Sequence, residues 1–285
     1  MLYPDDWKTY ELVDSGMGEK LERFDHYTVV RPDPRILWER NQPKELWDKA
    51  DATYKRANPT NGSWYQRQPP PSPWTLNYRH LSFLLKPTSF KHVGIFPEQA
   101  VNWDWISDKI SKRPLRILNL FGYTGAATLA AAAAGAHVTH VDSAKSTIGW
   151  ARENAQYSRL SDKPIRWIED DAYSFVLREA KRGNTYDGII LDPPRFGRGS
   201  KGEIWKIEND LPNLLSACRS ILSDTPQFVV VNAYTADLSA LVIYQLLLDT
   251  MHDLRGNHSF GELALKESES DRMVPSGIFA RWSIS

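Results

Sequence analysis

The sequence predicts an α/β protein: a mostly parallel sheet with helices on both faces, preceded by a small β-rich module. Three observations carry that prediction. From about residue 99, short continuous apolar runs alternate with helical stretches, the pattern of βαβ units whose strands are buried on both faces. Over residues 8–40, short β-branched runs are broken by Gly, Pro and Asp, the punctuation of hairpins. The tail closes on two strand-like runs joined by a polar turn.

Taken in order, Tyr10-Glu-Leu-Val13 and Tyr27-Thr-Val-Val30 read as strands, separated by Gly16 and Gly18 and closed by Arg31-Pro-Asp-Pro34. Residues 41–75 are rich in Trp and Pro and little periodic. Gln68-Pro-Pro-Pro-Ser-Pro-Trp74 cannot be helical, because successive prolines remove donors and fix φ; it is expected to lie extended on the surface. Strands are then expected at Leu115–Phe121, His137–Asp142, Ile165–Glu169, Asp187–Leu191 and Phe228–Asn232, with helices over 125–135, 143–157, 172–182 and 208–223. A helix over 236–254 precedes Gly261–Lys266 and Gly277–Ser283, read as an antiparallel hairpin that ends the sheet. The expected domains are residues 1–97, the β-rich module, and residues 98–285, the α/β domain.

Composition excludes several classes. Apolar residues at 41% and charged residues at 25% describe a globular chain, not a disordered or collagen-like one. One cysteine excludes internal disulfides and multi-cysteine metal sites and suits a reducing cytoplasm, the expected location. The start, Met1-Leu2-Tyr3-Pro4-Asp5-Asp6, has no basic and apolar leader pattern. The alanine-rich run Ala126–Ala136 falls short of the roughly 20 residues that span a bilayer, so no membrane partner is expected. With 35 basic and 35 acidic side chains the net charge is zero, so any nucleic-acid binding must use a local patch.

The middle of the chain carries a specific constellation. The first α/β strand ends in Asn119-Leu-Phe-Gly-Tyr-Thr-Gly125 and runs into the alanine-rich helix. Gly122 and Gly125 permit a tight turn and close approach to a ligand, and Thr124 is the expected N-cap. Amides at that helix start would face the pocket. The second strand ends at Asp142, where an acid can accept both ribose hydroxyls of an adenosine. The third ends in Glu169-Asp-Asp-Ala172, where a carboxylate can take an adenine amino group, and the fourth in Asp192-Pro193-Pro194. Singly, each has a structural alternative: plain turn chemistry for the glycines, a helix cap for Asp142. All four at the carboxyl ends of consecutive strands point to a nucleoside site. The G-x-G-x-x-G of a dinucleotide fold is missing, and at Gly197–Gly202 a phosphate-loop spacing is spoiled by Glu203 where lysine is needed.

These residues, with the acid at 142, Asp170-Asp171 and Asp192-Pro-Pro-Arg-Phe196, resemble the class I S-adenosylmethionine-dependent methyltransferases, more narrowly the bacterial group that modifies bases of 23S ribosomal RNA. Upstream, Gly94-Ile-Phe-Pro-Glu-Gln99 resembles the segment preceding the methyltransferase core of that group. The resemblance covers roughly residues 90–285. It implies S-adenosylmethionine as cofactor and a Rossmann-like, seven-stranded, mostly parallel sheet with the last strand antiparallel. It also implies that Asn119, Phe121, Gly122, Tyr123, Thr124, Gly125, Asp142, Ser143, Asp170, Asp171, Ala172 and Asp192 bind the cofactor, and that Gln99 closes over it.

Cytosine-C5 enzymes of this group carry a cysteine just after strand five, but here that position reads Val231-Asn-Ala-Tyr234. Cys218 lies instead on the apolar stripe Leu211, Leu214, Leu215, Cys218, Ile221, Leu222 of one helix, where a thiol is a small apolar filler. C5 chemistry needs a thiolate adduct, so nitrogen is the expected target. Transfer from a sulfonium to nitrogen is an in-line displacement that needs positioning and no metal. Asp192, Pro193 and Pro194 supply a stiff turn with acceptors beside a carboxylate, and Phe196 could stack on an extruded base. Arg195 stands between the second proline and that aromatic, where amino-methylating relatives have the aromatic directly. The glycine-rich run after it, with Arg195, Arg198 and Lys201, is either a loop closing on substrate phosphates or a solvated one. His137 and His140, three apart on a strand, face opposite ways and cannot share a metal.

Residues 52–97 contain no Asp or Glu but do contain Lys55, Arg56, Arg67, Arg79, Lys86 and Lys91, interleaved with Trp64, Tyr65, Trp74, Tyr78 and Phe83. Cations among base-stacking aromatics suit single-stranded RNA, with Arg67 and Arg79 as contacts; the alternative is that the aromatics build a small core. The sequence thus predicts a methyltransferase acting on an RNA base, ribosomal by resemblance. Action on a small molecule or protein, and a non-catalytic cofactor- or RNA-binding module, are the open alternatives.

Overall fold

The computed structural model describes the chain except residues 59–60, 111–112, 199–201, 235–236 and 285. It divides into two compact units, one of residues 3–100 with 264–276 and one of residues 101–263 with 1–2 and 277–285.

In the first unit, β1 (Tyr10–Gly16), β2 (Glu19–Phe24), β3 (Tyr27–Pro32), β4 (Ala52–Arg56) and β5 (Gly62–Gln66) form one sheet in chain order. Neighbours are antiparallel except β3 and β4, which pair in parallel. A short helix α1 (Lys44–Asp48) and a separate hairpin, β6 (Thr75–Tyr78) with β7 (Leu81–Leu84), complete it. Strand β2 has no apolar alternation because a charge points inward. Glu22 is fully buried, accepting from Arg31 Nε and Nη2 at 2.7 Å each and from the Tyr10 hydroxyl at 2.8 Å. Burial alone would raise this carboxyl, but Arg31 and Lys20 pull it down to about 2.

The core of this unit is aromatic. Ring centroids run Trp7–Tyr10 at 5.6 Å, Tyr10–Phe24 at 5.1 Å, Phe24–Trp74 at 6.0 Å and Trp74–Tyr27 at 5.0 Å. Trp74, Tyr78 and Phe83 are therefore buried core residues and present no face to a base. The segment 68–73 is neither helix nor strand, bends at Gln68 and at Ser72–Pro73, and is mostly solvent-facing.

In the second unit α2 (Ala100–Ile110) precedes the strands β8 (Arg116–Leu120), β9 (His137–Asp142), β10 (Ile165–Glu169), β11 (Gly188–Leu191) and β14 (Phe228–Ala233). Between them lie α3 (Ala126–Ala133), α4 (Lys145–Tyr157), α5 (Ala172–Lys181), a small antiparallel hairpin of β12 (Phe196–Arg198) and β13 (Ile204–Lys206), and α6 (Ile207–Ser220). Helix α7 (Ala240–Thr250), β15 (Asn257–Lys266) and β16 (Met273–Ser283) follow. The seven-stranded sheet has the order β10-β9-β8-β11-β14-β16-β15, parallel from β10 to β14, with β16 antiparallel to β14.

Alternate side chains of each central strand enter opposite cores. Leu118, Ile189, Val229 and Val231 pack with α5, α6 and α7, while Ile117, Ile190, Phe228 and Val230 pack with α2 and α3. Cys218, on α6, is buried in the first of these cores, and burial pushes its thiol far up.

The last three elements differ in extent from expectation. Helix α7 begins at Ala240 because Ser239 is extended, and ends before Met251, whose φ of −107° leaves the helix. Strand β16 begins at Met273, nearer the turn than apolarity suggests, and β15 begins at Asn257, ahead of its apolar run, and ends at Lys266 as expected. Glu267, in that turn, is buried and accepts hydrogen bonds from Ser15 and Asn41, while Leu12 forms a bridge to it. A polar tip that is anchored rather than solvated extends the ladder.

Candidate methyl-donor cleft

The register sets the site. Leu120 pairs with Val141 and Leu191, and Glu169 pairs with Asp142, so the loops after β8, β9, β10 and β11 leave the same edge of the sheet. After β8 the chain turns sharply: Phe121 and Tyr123 have φ of 56° and 49°, and Gly125 has 87°. Two non-glycine residues in the left-handed region are costly and persist only where the surroundings hold them. Here the surroundings do. Gly122 N–H donates to the Val141 carbonyl at 3.0 Å and Tyr123 N–H donates to Asp142 Oδ2 at 2.8 Å.

Gly122 is required for space rather than conformation. A Cβ there would stand 2.4 Å from Cε1 and Nδ1 of His140. His140 is fully buried beneath the turn and bonded through Nδ1 to Thr128 Oγ1 at 2.9 Å. Desolvation holds its pKa near 3, so the ring is neutral. Thr128 also accepts from Asn119 Nδ2 at 2.8 Å, which makes Asn119 a buried support of the turn rather than part of the cleft wall. Gly125, not Thr124, occupies the N-cap of α3, and no side chain caps it; Thr124 is buried, its carbonyl accepting from Asn154 Nδ2 at 2.9 Å.

Asp142 does two things at once. Besides Tyr123 N–H it accepts from Ala144 N–H and Thr147 Oγ1 at 2.9 Å through Oδ1. Three acceptor positions are thus used, and of the roughly four a carboxylate offers one remains, on Oδ2. Asp170 pairs with Arg178, while Asp171 is the N-cap of α5, with Oδ1 accepting from Ser174 N–H at 2.8 Å.

These residues meet in a cleft lined by Phe121, Val141, Asp142, Ser143, Asp170, Asp171, Ala172, Pro194, Gly197, Arg198 and Trp205. Of the expected cofactor and transfer residues, Gly122, Tyr123, Thr124, Gly125, Asp192, Pro193 and Phe196 do not line it. Phe196 is half exposed in β12 beside it, available to a substrate. The carbonyl of Pro194 accepts the Trp205 indole N–H at 2.6 Å, which takes one of its two lone pairs.

The expected substrate cations fare differently. Arg198 reaches the cleft and is exposed. Arg195 pairs with Glu208 at 3.5 Å and with Asp237. Lys201 lies outside the described residues. In the N-terminal unit Arg67 pairs with Asp51 at 3.0 Å and donates to two backbone carbonyls, while Arg79 is exposed over Tyr78. Tyr65 is exposed, with Lys55 over its ring at 5.1 Å. Gln99 is buried in that unit, in the turn Pro97–Gln99. Among the described residues no group of His, Cys, Asp and Glu converges as a metal cage, and no helix is long and apolar enough to cross a membrane.

Sequence reasoning did not single out Trp205. It sits one turn of chain beyond a glycine-rich loop, and the apolar-period signal there is weak; only the β12–β13 pairing that sets Gly197 opposite Trp205 brings it to the diproline turn.

The profile of the S-adenosylmethionine-dependent methyltransferase family matches residues 52–232, more than half of the chain. The chain belongs to that family. Its fold is shared over its whole length by a SAM-dependent methyltransferase from Agrobacterium tumefaciens, 41% identical with a TM-score of 0.95, covering 100% of this chain and 93% of the other. SMU.776, a methyltransferase solved in complex with SAH, has the same fold at 18% identity and a TM-score of 0.73, covering 93% and 71% of the two chains. Among curated relatives, the ribosomal RNA large subunit methyltransferase K/L of Shewanella sp. strain ANA-3 is 30% identical over 178 residues. That match takes in 60% of this chain and 25% of the relative, so it spans about a quarter of the relative's length. The methyltransferase family's donor, S-adenosylmethionine, fits the chemistry of the acid-lined cleft.

Proposed function

We propose that this methyltransferase modifies a base of ribosomal RNA in the cytoplasm, at nitrogen rather than at C5. The observation that carries the reading is the cleft itself, in which two acids at the ends of adjacent strands, Asp142 and Asp171, share walls with the diproline turn. S-adenosylmethionine, when bound, supplies an electrophilic methyl on a sulfonium. Asp142 Oδ2 has one acceptor position for a ribose hydroxyl, and the Asp171 oxygen not used in capping can take the adenine amino group. The strained turn at 121–125 would seat the methionine end, and Ser143 and Ala172 would flank the nucleoside. Gln99 is assigned to cofactor closure on the resemblance alone.

Asp192 and the carbonyls of Pro193 and Pro194 would hold the amino or ring N–H of the acceptor and aim its lone pair at the methyl, the Pro194 carbonyl keeping a second lone pair beside its bond from Trp205. Phe196 would stack on the extruded base, and Arg198 would meet a phosphate near the cleft mouth. The lone thiol is buried on α6 with its pKa pushed far up, which supports nitrogen over C5. We assign residues 98–285 to methyl transfer and residues 1–97 to RNA contact, with Tyr65, Lys55 and Arg79 as its exposed elements.

The test is transfer of labelled methyl from S-adenosylmethionine to ribosomal RNA purified from a strain lacking the gene. Incorporation into large-subunit RNA, located by nucleoside mass spectrometry at an N-methyl base, is the expected result. A second reading, a small or protein substrate, is favoured by the zero net charge and by burial of Trp74, Tyr78 and Phe83. Label in protein or metabolite fractions but not in RNA would establish it instead.

A further inference from the structure

The geometry points to Trp205 as a positioning residue that couples occupancy of the cleft to the shape of the diproline turn. The inference rests on the proposed reading that this cleft takes the methyl donor. Trp205 comes from the short β12–β13 hairpin and is only 8% exposed. One part of its indole lines the cleft with Asp142, Asp171 and Ala172, and its ring lies 5.1 Å from that of Phe121, tilted by 55°. Its Nε1–H is donated to the Pro194 carbonyl at 2.6 Å. A single rigid ring thus touches the strained turn, the nucleoside wall and the transfer corner.

The physical reason for a tryptophan here is specific. Pro193 and Pro194 have no N–H, so the turn has no backbone donors at these two positions to fix itself against its surroundings. An indole N–H from outside provides one, and a buried N–H without a partner would be costly, so the bond is held from both sides. The hairpin fixes the ring in turn. Gly197 pairs with Trp205, and a Cβ on Gly197 would lie 3.4 Å from Pro194 Cγ and 3.7 Å from Trp205 Cβ, so ring, glycine and proline are in mutual contact range. Ile207 N–H donates to the Arg195 carbonyl at 3.0 Å, tying the far end of the hairpin to the residue after the diproline. A ligand that displaced the indole by a few tenths of an ångström would carry Pro194 with it. Displacement of an acceptor by about 1 Å is enough to cost of the order of a hundredfold in a positioned transfer.

The experiment uses the full chain and S-adenosylhomocysteine as the ligand. The indole N–H resonance of Trp205 is assigned by its absence from Trp205→Phe, or from Trp205→Met should the first variant not fold. In the wild type this resonance is expected to exchange slowly with solvent and to shift on saturation with S-adenosylhomocysteine. Trp205→Phe, which keeps a ring and removes the N–H donor, is expected to keep its KM for RNA within about threefold, while kcat falls at least about tenfold. A merely structural ring would lower the melting temperature without splitting kcat from KM.

Binding of S-adenosylhomocysteine that leaves the Trp205 resonance unmoved overturns the inference, as does a Trp205→Phe enzyme with wild-type kcat. Failure of the wild type to bind S-adenosylhomocysteine overturns both the inference and the donor reading of the cleft. Binding without methylation of RNA removes the RNA reading alone, and the resonance then decides the role of Trp205.

Discussion

Gly122→Ala isolates the contact that holds the turn above His140. The backbone at Gly122 is not in the left-handed region, so alanine by itself would restrict the unfolded chain and stabilise by roughly 0.4–1 kcal/mol. The added Cβ, however, would stand 2.4 Å from two atoms of the His140 ring, about 1 Å inside ordinary contact. His140 has no way out: it is fully buried, and the Trp167 ring lies 4.9 Å from it. Overpacking of this kind costs about 1–3 kcal/mol, and moving the ring off Thr128 adds about 1 kcal/mol for the lost hydrogen bond. Gly122→Ala is therefore expected to lower the unfolding free energy in urea by a net of about 1–3.5 kcal/mol. Calorimetric affinity for S-adenosylhomocysteine should weaken about tenfold, because Tyr123 N–H and Asp142 move apart. His140→Ala removes the obstacle, so adding Gly122→Ala to that background should be neutral or slightly stabilising. An equal loss in both backgrounds would refute the packing argument.

Other outcomes follow from the same structure. Asp142→Asn should weaken S-adenosylhomocysteine binding at least tenfold in calorimetry, since the one remaining acceptor position and the charge are both altered; unchanged affinity would remove Asp142 from the ribose. Cys218→Ala should cost no more than about 2 kcal/mol and leave turnover intact, because the thiol is a buried filler; loss of activity in a folded variant would restore thiolate chemistry. Burial depresses His92 and His140 to about 3, so the unfolded chain takes up protons that the folded chain refuses. Their contribution is full above pH 6.5 and falls below it by about 1.4 kcal/mol per pH unit for each ring, a slope that urea titrations between pH 7 and 5 should show and that His92→Asn should halve. Glu22→Gln leaves Arg31 buried without its anion and should cost about 3–5 kcal/mol at pH 7; a loss under 1 kcal/mol would show that the pair is not a buried ion pair in solution.

The α/β unit was legible because its strands are sorted by a one-dimensional signal. Ile189-Ile190-Leu191 and Phe228-Val-Val-Val231 are apolar on both faces, which only a doubly covered parallel sheet requires. The N-terminal unit was less so. Its strand β2 carries Glu22 inward, and the Glu22–Arg31 pair that makes this tolerable joins two strands, so no local pattern displays it. Among the residues that line the cleft, Asp142, Asp171 and Pro194 announced themselves by following strands. Arg67 and Arg195 looked like substrate cations until the fold brought Asp51, Glu208 and Asp237 beside them.

What the sequence by itself determined is the order of the elements and the chemistry at their ends, because strand periodicity, proline and glycine act over a few neighbouring residues. What only the tertiary structure decided is which of those groups are already spent and which are supported from afar. Gly122 owes its identity to His140, and Pro194 has its carbonyl bonded by Trp205, contacts that join different strands and loops. Hydrogen-bond capacity is shared among whatever the fold brings within about 3 Å, and that sharing has no signature along the chain.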